Sequence, residues 1–193
     1  SEMHINIDGG NIRVTSFDDG LNANNDGMSI ITVNDGYLFV NSGGDGLDSN
    51  GSIVFNGGTT ISMSALTDMS GGIDADGPVI INGGVVIGTG ARNSSPAAAS
   101  TQKTLVVNYA SAQAEETLVA IVDPDGTPLL ILAPAVAYQQ LLFSSAEVAE
   151  GVTYTVYSGG SVGGEAVDGW YMQGIYTPGT QVGTVDTTSA ASS

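Results

Sequence analysis

The stretch Asp45-Gly46-Leu47-Asp48-Ser49-Asn50 decides the fold, because the chain carries three versions of it. The other two are Asp19-Gly20-Leu21-Asn22-Ala23-Asn24 and Gly71-Gly72-Ile73-Asp74-Ala75-Asp76, and successive versions begin 26 residues apart. A second motif, an apolar strand followed by a polar residue and glycine, recurs between them at spacings of 26, 22 and 26 residues: 5–10, 31–36, 53–58 and 79–84. Such a period predicts a stack of similar coils.

The alternation of apolar and polar residues within each repeat predicts short β-strands. Ile5 and Ile7 flank Asn6, and similar alternation recurs through residues 1–90 without a helical period. Three short strands per repeat favour an all-β protein, a right-handed parallel β-helix whose coils bury their inner faces only by stacking. The glycine pairs are expected to turn corners with positive φ. An antiparallel β-sandwich is the alternative, but it does not explain a near-constant period.

We expect the chain to have three parts: coils over 1–100, a β-rich C-terminal cap or continuation over 101–185, and a tail over 186–193. Because Ser1-Glu2-Met3 enters in mid-repeat, further coils are expected upstream. The cap is expected to cover one end of the solenoid, since an open end would expose unpaired strand edges.

Shorter patterns subdivide the region after the coils. Residues 91–103 are typical of a connecting loop. Asp123-Pro124-Asp125-Gly126 predicts the turn of a β-hairpin. One helical turn is predicted within 144–151, where Ser144-Ser145-Ala146-Glu147 has the spacing of a helix N-terminus and Gly151 can end the turn.

Composition and charge exclude several functions. The 193 residues include 20 acidic and only three basic residues, for a net charge of -17. This balance argues against nucleic acid and against anionic membrane surfaces, both of which need Lys and Arg. The absence of cysteine excludes thiolate metal sites and disulfides, and a single histidine, His4, excludes a His-rich zinc or copper site and argues against a conventional Ser-His-Asp triad. No apolar run approaches the length of a membrane span.

The repeated stretch should place oxygen-bearing side chains in outward columns. Equivalent residues of successive coils lie ~4.8 Å apart in a parallel β-helix. The first column is Asn22, Asp48 and Asp74, the second is Asn24, Asn50 and Asp76, and Asp19 and Asp45 lie in the turn just before them. Two carboxylates at this spacing repel by roughly 1 kcal/mol in water and by several times more at a partly buried site.

A bound cation would turn this repulsion into attraction. Calcium takes about six to eight oxygen ligands from carboxylates, carbonyls and carboxamides, whereas magnesium holds its waters and demands stricter geometry. The columns therefore predict at least one Ca²⁺ site. Two readings without metal remain open: asparagine ladders that hydrogen-bond along the solenoid, and Asp and Gly acting only as turn formers. An EF-hand is excluded, because Asp74-Ala75-Asp76-Gly77 has no Glu at the required distance.

Aromatic residues on the coils form a second candidate surface. Tyr37 and Phe39 should point outward, since Leu38 and Val40 point inward. Exposed rings can stack on sugar faces, but they can equally pack under a loop of the cap. We take Tyr37 and Phe39, with the outward Arg13, as candidate carbohydrate-binding residues. The same choice holds for the aromatic residues of a later glycine-rich stretch near Asp168: Trp170, Tyr171 and Tyr176.

The stretches Ser16–Ala23 and Ile31–Gly51, above all Gly43-Gly44-Asp45-Gly46-Leu47-Asp48-Ser49-Asn50-Gly51, carry a family resemblance. The chain resembles the calcium-containing, carbohydrate-binding β-helix proteins of bacterial, largely clostridial, cell surfaces. The resemblance covers about residues 5–180 and implies a pectate-lyase-like fold, bound calcium and binding of polygalacturonate-type acidic polysaccharide outside the cell. The third copy departs from the pattern, because Gly71 replaces the Asp of the other two.

Three functions follow from these observations. The first is non-catalytic, calcium-dependent binding of acidic polysaccharide, in which calcium bridges the acidic protein and uronate carboxylates. The second is a polysaccharide lyase, which would need a basic residue to abstract a proton, and Arg13 is the candidate on the coil strands. The third is a stiff scaffold or adhesin in which calcium is purely structural. We predict the first, a binder that is not an enzyme.

Overall fold

A computed structural model describes residues 3–67, 69–187 and 191–192. Its strands, in chain order, are β1 His4–Ser16, β2 Leu21–Ala23, β3 Ile30–Ser42, β4 Leu47–Ser49, β5 Ser52–Phe55, β6 Thr59–Ser64, β7 Ile73–Ala75, β8 Val79–Ile81, β9 Val85–Gly90, β10 Thr104–Gln113, β11 Val119–Val122, β12 Pro128–Leu132, β13 Tyr138–Ser144, β14 Tyr154–Val162, β15 Tyr176–Val185 and β16 Ala191–Ser192. The described ranges contain no helix, so none in them could cross a membrane.

The first nine strands form the predicted parallel solenoid of about three coils. β1, β3, β5 and β8 pair in parallel along one part of each coil, and β3, β6 and β9 pair along the next. β2, β4 and β7 form a separate three-stranded parallel sheet. The repeat spacing sets this register, since Leu21, Leu47 and Ile73 lie side by side. The all-β parallel β-helix prediction is confirmed.

The glycine corners differ from the prediction in the first two coils. β1 and β3 each run as one 13-residue strand through the corner, where a register shift absorbs the turn. In the later coils the strands break there. Positive φ is found as expected, at +93° for Gly36 and +72° for Gly58, and a Cβ at either glycine would collide with the backbone of the preceding coil.

A ladder of amide hydrogen bonds runs along these corners. Asn34 Nδ2 donates to Asp8 Oδ1 at 2.6 Å, and Asn56 Nδ2 donates to Asn34 Oδ1 at 2.8 Å. Asn82 Nδ2 in turn donates to Asn56 Oδ1 at 3.0 Å. An asparagine ladder of the kind considered for the outward columns therefore exists, but it lies at the Asn-Gly corner instead.

The described residues form three apolar clusters, and the two larger ones hold the solenoid and the C-terminal region together. The first lies inside the coils and includes the fully buried Leu38, Leu47 and Phe55. The second lies against the outer face of the β3, β6 and β9 sheet, where Ile61 and Ile87 pack against the four-stranded antiparallel sheet β12-β11-β14-β15. The C-terminal region thus covers a side of the solenoid as well as extending its main sheet, because β13 pairs with β9 and β10 pairs with β13.

Residues 91–103 contain no regular strand, so the predicted connecting loop is confirmed. They lie along the last coil and supply hydrogen-bond partners for its open edge. Asn93 Oδ1 accepts from the Ile73 amide at 3.1 Å, and Ser100 Oγ accepts from the Ile81 amide at 3.1 Å. The Ala97 amide donates to the Val79 carbonyl at 2.7 Å. Side-chain oxygens and backbone amides of this loop thus take the place of a further strand at the edge of the last coil.

The C-terminal predictions have mixed outcomes. The hairpin turn at 123–126 is confirmed, since β11 and β12 pair antiparallel across it. The helical turn within 144–151 is wrong: the segment forms turns, and Ser145 Oγ accepts the Glu147 amide at 3.3 Å in competition with helical bonding. The division at 100 and 185 stays a prediction. In the predicted tail, 188–190 and 193 lie outside the described residues, and Ala191–Ser192 pairs with β10.

We expect Gly46→Ala to destabilise the coils. Gly46 is buried, and a Cβ there would collide with Ser62 Oγ and the Gly72 carbonyl in the next coil. Overpacking of this kind costs about 2–3 kcal/mol, measurable as a lower urea midpoint. Gly163→Ala is the matched control, since its Cβ would meet nothing within 4 Å. Equal midpoints for the two variants would contradict the stacking described here.

Candidate functional site

The outward side chains of the three-stranded sheet form a continuous acidic surface. Asn22 lies beside Asp48, and Asp48 lies beside Asp74, in register on β2, β4 and β7. All three side chains are half-buried. Together with Asp19 and Asp45 in the preceding turns they are called the acidic face below. The strand register predicted for the first column is therefore present.

The turn carboxylates clamp each coil to the next. Asp19 Oδ1 accepts the Asp45 amide at 2.9 Å, and Asp45 Oδ1 accepts the Gly71 amide at 2.7 Å. Each carboxylate therefore satisfies a backbone donor of the coil above it. The series ends at Gly71, whose amide donates to Asp45 but which has no carboxylate to accept a bond from the next segment. A Cβ at this position would collide with the Arg92 carbonyl oxygen, so the third copy has no room for an aspartate here.

One amide group draws two carboxylates of the acidic face together. Asn22 Nδ2 donates to Asp19 Oδ2 at 2.7 Å and to Asp48 Oδ2 at 2.9 Å. A donor shared between two anions lowers their mutual repulsion without adding a full charge. The first two copies of the repeated stretch are thus joined into one hydrogen-bonded group.

Asp74 has different partners from the other carboxylates. Ser94 Oγ donates to its Oδ1 at 2.9 Å, and Arg92 Nη2 lies 3.9 Å from its Oδ2. Both partners come from the segment that covers the last coil. A cationic side chain therefore offsets negative charge at this end of the acidic face, and the uncompensated charge lies nearer the first two copies.

The electrostatics single out Asp48. Burial, and after it the negative charges of Asp19 and Asp45, together raise its pKa from 3.8 to about 6. Burial also raises the pKa of Asp45, against the hydrogen bond from the Gly71 amide. A carboxylate that is costly to ionise is one whose charged form gains from a nearby cation.

The second predicted column is less well organised than the first. Asn24 and Asp76 are exposed beyond the ends of their strands. Asn50 Nδ2 donates instead to Asp26 Oδ1 at 3.0 Å, a partner that the sequence argument missed although Asp26 lies only two residues after the repeated stretch. Within the described residues no three His, Cys, Asp or Glu side chains are grouped to hold a metal ion. Calcium binding by these residues stays a prediction.

The predicted sugar-binding residues Tyr37, Phe39 and Arg13 face the C-terminal region. Arg13 Nη2 lies 2.9 Å from Asp168 Oδ2, and Arg13 Nε donates to Asp168 Oδ1 at 3.2 Å. The Tyr37 hydroxyl donates to Asp168 Oδ2 at 2.7 Å, and the Arg13 guanidinium lies 5.1 Å from the centre of the Tyr37 ring. Phe39 packs against the second core. The rings therefore pack under the C-terminal region, and sugar binding by these residues stays a prediction.

We call the Arg13, Tyr37 and Asp168 group the latch. The Asp168 side chain is only 16% exposed, and its φ of 51° is unusual for a residue other than glycine. Burial raises the pKa of the Tyr37 hydroxyl, and the hydrogen bond to Asp168 raises it further. The phenol therefore stays a donor at all physiological pH values and ties the segment around Asp168 to the solenoid.

A comparison with protein families identifies the group to which this architecture belongs. The model of a family described as carbohydrate-binding domain-containing protein matches residues 1–123. The chain belongs to this family. The match includes every coil and the whole acidic face, and it supports binding of carbohydrate. No curated protein and no solved structure matched the chain.

Asp48→Asn is expected to stabilise the protein in excess chelator. The pKa of Asp48 is raised in the folded state from 3.8 to about 6, so the stability linked to its protonated form is lost as pH rises through about 6. Asparagine does not ionise and avoids this loss. After allowance for solvent screening, the gain is on the order of 1 kcal/mol at pH 7.5 and vanishes near pH 4.

Thermal melts of both proteins at these two pH values measure this gain. Asp125→Asn, on the exposed hairpin turn, is the control for the loss of one negative charge. A destabilised Asp48→Asn protein at pH 7.5 in chelator would show that the carboxylate is not repelled by its neighbours.

Tyr37→Phe tests the latch. The variant keeps the ring under the Arg13 guanidinium but removes the hydroxyl that donates to Asp168. Loss of a partly buried hydrogen bond to a carboxylate costs about 1–2 kcal/mol, visible in urea unfolding. Tyr157→Phe is the control, since no hydrogen bond of its hydroxyl is found among the described residues. If both variants unfold at the same midpoint, the latch contributes no stability.

Proposed function

We propose that the protein is a non-catalytic binder of acidic polysaccharide, of the polygalacturonate type, that depends on calcium held by the acidic face. We further propose that it acts outside the cell, on a bacterial surface, where such polysaccharides are met. The observation that carries the proposal is the in-register group of Asp19, Asn22, Asp45 and Asp48 in a chain of a carbohydrate-binding family.

Charge is the reason for including a cation. The chain carries a net charge of -17, and a polyuronate is also an anion. Direct approach of one to the other is unfavourable at moderate ionic strength. Calcium supplies positive charge and open coordination positions, which can accept a uronate carboxylate.

The donor set agrees with calcium in its chemistry. Asp19, Asp45 and Asp48 provide carboxylate oxygens, and Asn22 provides a carboxamide, the ligand types that calcium prefers. The raised pKa of Asp48 supports the same choice, because a cation would favour its ionised form. The Asn22 amide donates to two of these carboxylates in the structure, so its side chain would have to turn its carbonyl oxygen toward a bound ion.

A lyase activity is a weaker reading of the same residues. Proton abstraction next to a uronate carboxylate needs a basic group that can reach the sugar. Arg13, the candidate on the coil strands, makes two contacts with Asp168 and lies over the Tyr37 ring. A guanidinium held in this way is a structural partner, which supports a binder over an enzyme.

We expect calcium to stabilise the protein and to switch on glycan binding. At a concentration 100-fold above the dissociation constant, calcium should raise Tm by roughly 5–10 °C. In affinity electrophoresis, polygalacturonate in the gel should retard the protein with calcium present and not in excess chelator. The double variant Asp45→Asn, Asp48→Asn should lose both responses, because two of the four proposed ligands lose their charge.

A variant with the same change in net charge serves as the control. Glu115→Gln combined with Asp125→Asn removes two exposed charges far along the chain from the acidic face and should behave as the wild type. Retardation that survives in chelator would refute the calcium bridge. A rise in Tm with calcium but no retardation by glycan would leave calcium a structural role and favour the scaffold reading.

A further inference from the structure

A second surface suited to sugar lies where the C-terminal region meets the solenoid. A cavity of about 710 Å³ opens between the glycine corner at Gly58 and Gly84, strand β12 and residues 170–174. We call it the groove. Its volume lies within the usual range of roughly 300–1,000 Å³ for ligand sites, and such sites favour the junction of two packed units.

The aromatic wall of the groove is held by backbone bonds on one side. The Ala133 amide donates to the Gly169 carbonyl at 2.8 Å, and the Tyr171 amide donates to the Ile131 carbonyl at 3.0 Å. Residues 169–171 thus lie along the edge of β12. A wall fixed in this way is preorganised, so binding does not have to order it.

The latch fixes the same wall from the other side. Asp168 directly precedes this segment and is bound by Arg13 and Tyr37 of the solenoid. The residues first considered as sugar contacts therefore position the aromatic wall. Their connection to sugar binding is indirect, through the segment that carries Trp170 and Tyr171.

The lining residues match a sugar in chemistry. Trp170 and Tyr171 supply aromatic surface for the apolar face of a sugar ring, while Glu147 and Gln173 supply hydrogen-bonding groups for its hydroxyls. Glu147 and Gln173 are exposed, so they remain available to a ligand entering from solvent. Few polar groups around an apolar floor are typical of a small-molecule or glycan site.

The charge of the groove favours an uncharged sugar over an acidic one. The residues that line the groove include the carboxylate of Glu147 and no Lys or Arg. Together with the net charge of -17, this disfavours a uronate and leaves hydroxyl groups as the partners for Glu147. We propose that the groove binds an uncharged glycan chain through ring stacking and hydroxyl hydrogen bonds, without calcium.

This proposal rests on carbohydrate binding as the function, but not on the acidic face or on a metal. The family match gives no support to the aromatic wall of the groove, because residues 170–174 lie outside the matched residues 1–123. The argument for that wall therefore comes from the structure alone. The two surfaces would give one molecule two kinds of glycan contact, one for acidic chains through calcium and one for neutral chains in the groove.

The chain provides its own probe, since Trp170 is its single tryptophan and lines the groove. The full chain in excess chelator is titrated with cellohexaose, xylohexaose, mannohexaose and maltohexaose while Trp170 emission and acrylamide quenching are followed, with calorimetry in parallel. At least one of the four is expected to shift the emission and to reduce quenching about twofold. Hexagalacturonate in chelator should do neither.

Variants locate the binding. Gln173→Ala and Glu147→Ala should each weaken the neutral glycan about tenfold, the loss expected for one hydrogen bond, while Glu115→Ala should bind as the wild type. Both target residues are exposed, so the fold should survive, and circular dichroism checks this.

The outcomes separate this proposal from the previous one. If calorimetry detected binding of a neutral glycan but Trp170 emission did not change, the glycan would bind elsewhere and the groove would not be its site. The proposal would also be wrong if the protein bound polygalacturonate with calcium but bound none of the neutral glycans. That result would leave the acidic-polysaccharide function unaffected.

Discussion

In-register stacking of the coils is the constraint on which the rest of the structure depends. It sets every side chain ~4.8 Å from its counterpart in the next coil. Inside the solenoid this is favourable, because Leu47 meets Ile73 and both are fully buried. Outside, the same register brings Asp48 beside Asp74. The stability of the coils and the electrostatic cost of the acidic face therefore have one geometric origin.

The molecule reduces that cost by several separate devices. Backbone amides of the following coil neutralise part of the charge on Asp19 and Asp45, and the Asn22 amide joins Asp19 to Asp48. At the far end Arg92 lies near Asp74. The repulsion that these contacts do not offset is centred on Asp48, whose pKa is raised to about 6. The unrelieved charge is the physical basis for proposing a cation there.

The parts of the structure that repeat could be predicted from the sequence, and the parts that do not repeat could not. A period of 26 residues was enough to predict that Asn22, Asp48 and Asp74 share a column, because pairing in parallel coils preserves the offset. Nothing periodic relates Arg13 to Asp168, which are 155 residues apart, so the latch was missed. The segment 91–103 was predicted as a loop, but its contacts with the edge of the last coil were not, because Asn93 and Ser100 use side-chain oxygens where a strand would use its backbone.

The ladder at the glycine corners gives the solenoid a direction. Each amide donates toward the N-terminal coil, from Asn82 to Asn56 to Asn34, and Asn34 donates to the carboxylate of Asp8. The dipoles of these amides therefore point in one direction along the solenoid. A duplicated coil would enter the series with its donors already aligned, so this architecture can change its length by whole coils.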